Sequence, residues 1–322
     1  LPVELTHCQF GATEVHALAS VSAARAAGDL TMEGRTLPLL SVVALHGPLP
    51  VDEAVPLCEG IVERLGADRR SQAMAERYLG VLLAMQDRME EGRALCETAR
   101  DLLAELGWQF DLALVGLELG PLEMMADRPE AAEAALRAGY EELDAMGEQN
   151  YISTVAALLA ESLCRQGRHE EAEGFAARAA EVAAPDDVIT QAFVRAVQAK
   201  VASARGEHAI ALAVAQEAVD LLAATDDINS QADVLFDLAL VTQAAGDRAG
   251  QRRFRGVCGE GYGLPVDLVR RRGDEGCDEQ RRRGEHASEV HGKVPPASVR
   301  RFAAGRACCA CGGGRGKAVS GR

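Results

Sequence analysis

The chain has 322 residues, 48% of them hydrophobic but only 4% aromatic, and a formal net charge of −15. An apolar fraction made of Ala and Leu suits close helix packing and argues against a sheet core, which favours Val, Ile and aromatic residues. No apolar run approaches the roughly 20 residues that span a bilayer. No basic start followed by an apolar run marks a signal peptide.

Residues 1–12 carry no clear pattern and are left unassigned. From Thr13 to Ala27, Val15, Leu18, Val21 and Ala24 recur on one helical face. Ala27-Gly28-Asp29 is a turn, and a second helix is predicted over 30–46, with Pro38 expected to kink it or shorten its first part. Gly47-Pro48-Leu49-Pro50 ends it, and a third helix covers 51–65. Helix pairs are then predicted at 70–86 with 88–106, 109–125 with 128–147, 150–166 with 168–183 and 187–205 with 207–224. A last first-helix covers 227–245.

The clearest internal order runs from Asp186 to Gly246. Asp186, Asp187, Gln191, Ala192, Ala199, Ala204 and Gly206 recur forty positions later as Asp226, Asp227, Gln231, Ala232, Ala239, Ala244 and Gly246. Such a period marks an array of helical hairpins. Leu79-Gly80 and Leu119-Gly120 fall in first helices, and Gly167, Gly206 and Gly246 fall at the turns, where Asp87 and Asp127 replace Gly. Ala54, Gly92, Ala132, Ala172 and Ala211 open the second helices; Ala99, Gly139, Ala179 and Ala218 follow them. Small residues at a crossing let two backbones approach closely. On these residues the array resembles tetratricopeptide repeats, with a period longer than their ~34 residues. The expected fold is all-α: a right-handed superhelical solenoid of about six hairpins over residues 13–249. Asp186 or Asp187, and Asp226 or Asp227, are expected to cap the helices that follow them.

Charge divides the chain. Residues 1–249 carry 41 acidic and 18 basic side chains, whereas 250–322 carry 8 and 16. The acidic body repels phosphate, so nucleic acid is not an expected partner of it. Residues 250–322 hold 15 Gly, 14 Arg and 5 Cys, and the helical period vanishes there. This text reads as an Arg/Gly/Cys-rich disordered tail or the out-of-frame product of a GC-rich gene. With its start at Leu1 rather than Met, the chain is expected to be a fragment.

Few residues suggest chemistry. Cys308, Cys309 and Cys311, with Cys258, Cys277, His286 and His291, match no zinc-finger spacing. Gly312 to Lys317 lacks the first Gly and the Ser/Thr of a phosphate loop. His169 and His208 start equivalent second helices, where packing or turn roles are expected. Cys58, Cys96 and Cys164 read as small buried apolar residues, and without paired cysteine spacing a reducing cytoplasm is the expected compartment. No catalytic residue, cofactor or metal is expected. In repeat arrays the first helices line a concave groove that takes a peptide or partner helix. The residues expected on that face are Met74, Arg77, Met85, Met124, Met125, Glu161, Arg165, Phe193, Lys200, Asp233, Phe236 and Gln243.

Three stretches, GPLPVDEAVPLCEGIVERLGADRR, RPEAAEAALRAGYEELDAMGE and APDDVITQAFVRAVQAKVASARGE, resemble the C-terminal repeat region of large bacterial signalling proteins. Those proteins join a class III adenylate/guanylate cyclase domain to an AAA-type ATPase domain and then to such repeats. The resemblance covers roughly residues 15–249 and implies a non-catalytic regulatory piece of an ATP-binding, cyclic-nucleotide-making parent. Alternatives are the sensor arm of an ATP-dependent transcription regulator and a stand-alone adaptor.

Overall fold

The computed structural model describes residues 8–66 and 68–246; the tail and its Cys, His and Gly-Lys motifs lie outside them. Thirteen helical segments and no strand occur among the described residues. They are α1 (Phe10–Ala27), α2 (Leu30–His46), α3 (Val51–Leu65), α4 (Arg69–Met85), α5 (Met89–Glu105), α6 (Gln109–Leu114), α7 (Gly116–Met125), α8 (Pro129–Met146), α9 (Tyr151–Arg165), α10 (His169–Val182), α11 (Val188–Ala204), α12 (His208–Leu222) and α13 (Ile228–Ala244). The fold is an all-α solenoid of helical hairpins.

The hairpins form where the small residues predict. A Cβ added to Gly92 would lie 2.2 Å from the Gly80 carbonyl oxygen, and one on Gly139 2.4 Å from that of Ala113. Ala132, Ala172, Ala179, Ala211 and Ala218 are buried at the equivalent crossings. The turns need a left-handed residue: Gly167, Gly206 and Gly246 have φ of 77°, 80° and 68°, and Asp87 and Asp127 take 66° and 58°. Asp tolerates that region better than most residues because its short side chain bonds locally. The repeated glutamines have a matching role. Gln191 donates to the Ala184 and Pro185 carbonyls, and Gln231 to those of Leu222 and Thr225, so each ties down the linker before its helix.

The layering follows from the hairpins. α2, α4, α7, α9, α11 and α13 form an inner layer in which each touches the next, while α3, α5, α8, α10 and α12 each pack outside the preceding inner helix. Leucines 82, 122, 159 and 163 from inner helices and 103, 136, 143 and 222 from outer ones are fully buried. The solenoid then closes on itself, because α13 returns to touch α2. The Phe10 and Gly11 amides donate to Asp226 at 2.6 and 2.8 Å, and the Asp226 amide donates to the Cys8 carbonyl at 3.1 Å. Asn229 donates to the Leu45 carbonyl. Phe10 stacks on His46, and Cys8, Phe10 and Val43 form a small apolar cluster with Val188 and Ile189 beside it.

Three local expectations change. The first helix starts at Phe10 rather than Thr13, because its cap comes from the far end of the array. Asp227 caps its own helix by accepting the Ser230 amide at 3.0 Å, as Asp187 does for Thr190, whereas Asp226 caps α1. α2 runs through Pro38 and keeps its first turns; Asp29 supports its start by accepting the Met32 amide. The helix predicted over 109–125 divides at Val115 into α6 and α7. Pro121 lies inside α7 and has no N–H for the Leu117 carbonyl, which weakens the ladder one turn into that segment.

Candidate functional site

All six inner helices contribute ionisable side chains to the interior. His46 ends α2, Arg77 and Tyr78 lie on α4, Glu118 on α7, Glu161 and Arg165 on α9, Lys200 on α11, and Asp233 and Asp237 on α13. They fall into two groups.

The first group is sealed. Arg77 is 2% exposed and Glu118 5%. The Arg77 Nη2 donates to the Tyr78 hydroxyl at 2.6 Å, while its Nη1 stands 3.5 Å from Glu118 Oε2. Burial pushes the Tyr78 hydroxyl up to about 12 and raises the Glu118 carboxyl, against the pull of Arg77 and His46. His46 Nδ1 is 3.7 Å from Asp227 Oδ2, which links this group to the seam between the ends.

The second group is mostly buried but keeps a thin edge of exposure. The side chains of Lys200, Glu161 and Asp237 are 15%, 14% and 13% exposed. Lys200 Nζ bridges Glu161 and Asp237, lying 2.6 Å from the latter. Arg165 donates to Glu161 Oε1 at 2.7 Å and to the Met124 carbonyl at 3.3 Å. Three adjacent inner helices, α9, α11 and α13, are thus joined by charge, and α7 is joined through its backbone.

Two carboxylates share the Lys200 ammonium, and they come out differently. Burial raises Glu161, but Lys200 and Arg165 override it and hold the carboxyl down at about 2. Burial dominates at Asp237 and, with repulsion from Glu161, pushes its carboxyl up to about 6 despite Lys200. Burial opposes the Lys200 charge, but Asp237 and Glu161 more than restore it, so the ammonium stays firmly protonated. The result is a fixed pattern of alternating charge along the interior. Such a pattern can recognise a partner's charged and polar groups in one register.

The residues predicted for the inner face separate accordingly. Glu161, Arg165 and Lys200 come together, and Asp233 lies close enough for its charge to act on Arg165. Arg77 belongs to the sealed group. Met124 and Met125 are buried, and Met125 is part of the main core with Met85 packed against it. Phe193 packs against a second core cluster. Met74, Phe236 and Gln243 are half-buried. His46, Glu118 and Asp237 were not singled out from the sequence. Glu118 and Asp237 had a signal: each is a lone acid inside an apolar run, GLELG and VLFDLAL, and so cannot sit on a solvated stripe.

Other candidate chemistry is limited. Cys8, Cys58, Cys96 and Cys164 are free and buried. Burial pushes the Cys58 thiol up to about 11 and that of Cys164 to about 12, so neither is a ready nucleophile. His169 Nδ1 lies 3.7 Å from the Cys164 sulfur. Among the described residues there is no group of three or more His, Cys, Asp or Glu that could hold a metal ion, and no helix is long and apolar enough to cross a membrane.

No family model matches the chain, and no curated protein matches it. Solved structures are similar to it. BtubC (BKLC) from P. vanneervenii is 18% identical, with 89% of this chain and 98% of that one covered and a TM-score of 0.42. The apo form of the quorum sensor NprR from B. thuringiensis is 14% identical over 80% of this chain and 79% of that one, at a TM-score of 0.49. NprR in complex with its cognate peptide NprX is 11% identical over 81% and 82%, at 0.48.

Proposed function

We propose that this chain is a non-catalytic protein-interaction module whose inner face holds an extended peptide or a helix of a partner. The observation that carries this reading is the line of ionised side chains Arg165–Glu161–Lys200–Asp237 across three successive inner helices. Evenly repeated elements present charges at regular spacing, which suits a linear partner better than a compact small molecule. The accessible charges alternate in sign, so the partner would itself carry both signs, with an acidic group for Arg165 or Lys200. Within the same reading, the module regulates a larger signalling protein of the cyclase and ATPase type; the repeat stretches that resemble that family support this.

The test is a selection of displayed random peptides on the full chain, counter-selected on the Lys200→Glu variant at a temperature where its helicity matches that of the unaltered chain. Enriched sequences that bind the unaltered chain and lose at least tenfold in affinity for the variant support the inner face. Equal binding to both would move the interaction elsewhere, and ATP turnover by the purified chain would contradict a non-catalytic role.

A further inference from the structure

The aromatic side chains of this protein are few, which makes their placement informative. Among the described residues the exposed aromatics are Trp108 at 45%, Phe110 at 40% and Tyr151 at 45%, and all three sit on one edge of the array. Trp108 is the single Trp of the chain. It closes the linker between α5 and α6, Phe110 opens α6, and Tyr151 opens α9. Phe110 and Tyr151 meet edge-to-face with centroids 5.8 Å apart, so two successive inter-hairpin linkers merge into one surface. Leu106, on the first of these linkers, and Met146, the last residue of α8 before the second, are also exposed.

The first turn of α4 adds the chemistry. The Arg70 guanidinium lies 4.0 Å from the Trp108 ring centroid, and the same group pairs with Asp111 at 2.7 Å. The surface therefore already holds one arginine by a ring on one side and a carboxylate on the other. Its surroundings are acidic. Segments 66–70, 97–111 and 141–151 together carry nine carboxylates (Glu97, Glu105, Glu141, Glu142 and Asp144 among them) and only Arg69, Arg70 and Arg100. Each of these arginines is matched by a carboxylate: Arg69 by Glu105 at 3.1 Å, Arg100 by Asp101 at 3.0 Å, and Arg70 as above. The surplus is negative: Glu97, Glu141, Glu142 and Asp144 are exposed, and Glu148 accepts the Tyr151 amide at 2.8 Å.

We propose that this edge is a second docking surface, distinct from the Lys200 group, and that its occupant is an arginine-bearing basic segment of a partner protein. Arginine suits both features. Its planar, weakly hydrated guanidinium stacks on aromatic faces while its fork engages carboxylates, and lysine does the second without the first. Trp, Tyr and Arg are also the residues that dominate binding energy at interfaces.

The experiment uses the full chain with labelled octa-arginine and octa-lysine peptides at near-physiological salt, read by anisotropy and by Trp108 emission. Expected is saturable binding of octa-arginine at least fivefold tighter than octa-lysine, with a change in Trp108 emission. Phe110→Ala and Tyr151→Ala, with helicity unchanged, each weaken octa-arginine at least fivefold and narrow its advantage over octa-lysine. Trp108 emission of the unaltered chain reports the same event without any substitution. Equal affinity for the two peptides, or binding indifferent to both substitutions, would mean that the acidic surface merely attracts polycations and would overturn the proposal, as would no saturable binding.

Discussion

Replacing Asp237 by Asn should stabilise the protein near neutral pH. Asp237 is held up to about 6, chiefly by burial and next by Glu161, from an ordinary value of 3.8. A raised acid means that the folded state holds the proton more tightly than the unfolded state. The group's contribution is therefore fully present below the unfolded value and is lost as pH rises through the folded one. The window here is roughly pH 4 to 6. Each tenfold change in proton affinity corresponds to about 1.4 kcal/mol, and because the proton is shared within a coupled cluster the expected gain is on the order of 1–3 kcal/mol. Asn keeps the shape of the protonated acid, and Lys200 retains Glu161 as a partner. The assay is urea unfolding of both proteins between pH 4 and 8. The two stabilities should coincide near pH 4 and diverge with rising pH, the variant being the more stable. If the variant is instead less stable by more than about 1 kcal/mol at pH 7.5, the Lys200–Asp237 pair outweighs its burial cost and the argument fails.

Lys200→Met leaves two facing carboxylates without their shared cation, and should cost about 3–5 kcal/mol at pH 7. Thermal unfolding at pH 7 and pH 5 checks this, because protonation of Asp237 at the lower pH should recover part of the loss. Gly92→Ala places a methyl 2.2 Å from the Gly80 carbonyl oxygen, so about 1–3 kcal/mol should be lost by denaturant titration. A neutral outcome would mean that α4 and α5 can separate freely.

The hairpins were legible because their signals are local. Gly80, Gly92 and Gly139 mark crossings that admit no Cβ, and Asp87 and Asp127 stand where a left-handed turn residue is required. Asp187 and Asp227 cap the helices that directly follow them. Closure was not legible, because Asp226 meets the Phe10 amide across 216 positions and nothing in the adjacent doublet distinguishes a local cap from a distant one. Periodicity placed Glu161, Arg165 and Lys200 on one face, since each sits on a first helix, and the three do meet. It also placed Met124 and Met125 there, although the helix divides at Val115 and both side chains are buried. Asp237 escaped because its partner, Lys200, is supplied by the preceding repeat.

The two ends of the array meet through Asp226, and amide hydrogen exchange at Phe10 and Gly11 tests that closure most directly. Both amides are held by the Asp226 carboxylate. They should exchange slowly in the unaltered chain and lose most of that protection in Asp226→Ala, while amides within α9 and α11 keep theirs. Fast exchange of Phe10 and Gly11 in both proteins would mean that the two ends do not meet, and that the array is open in solution.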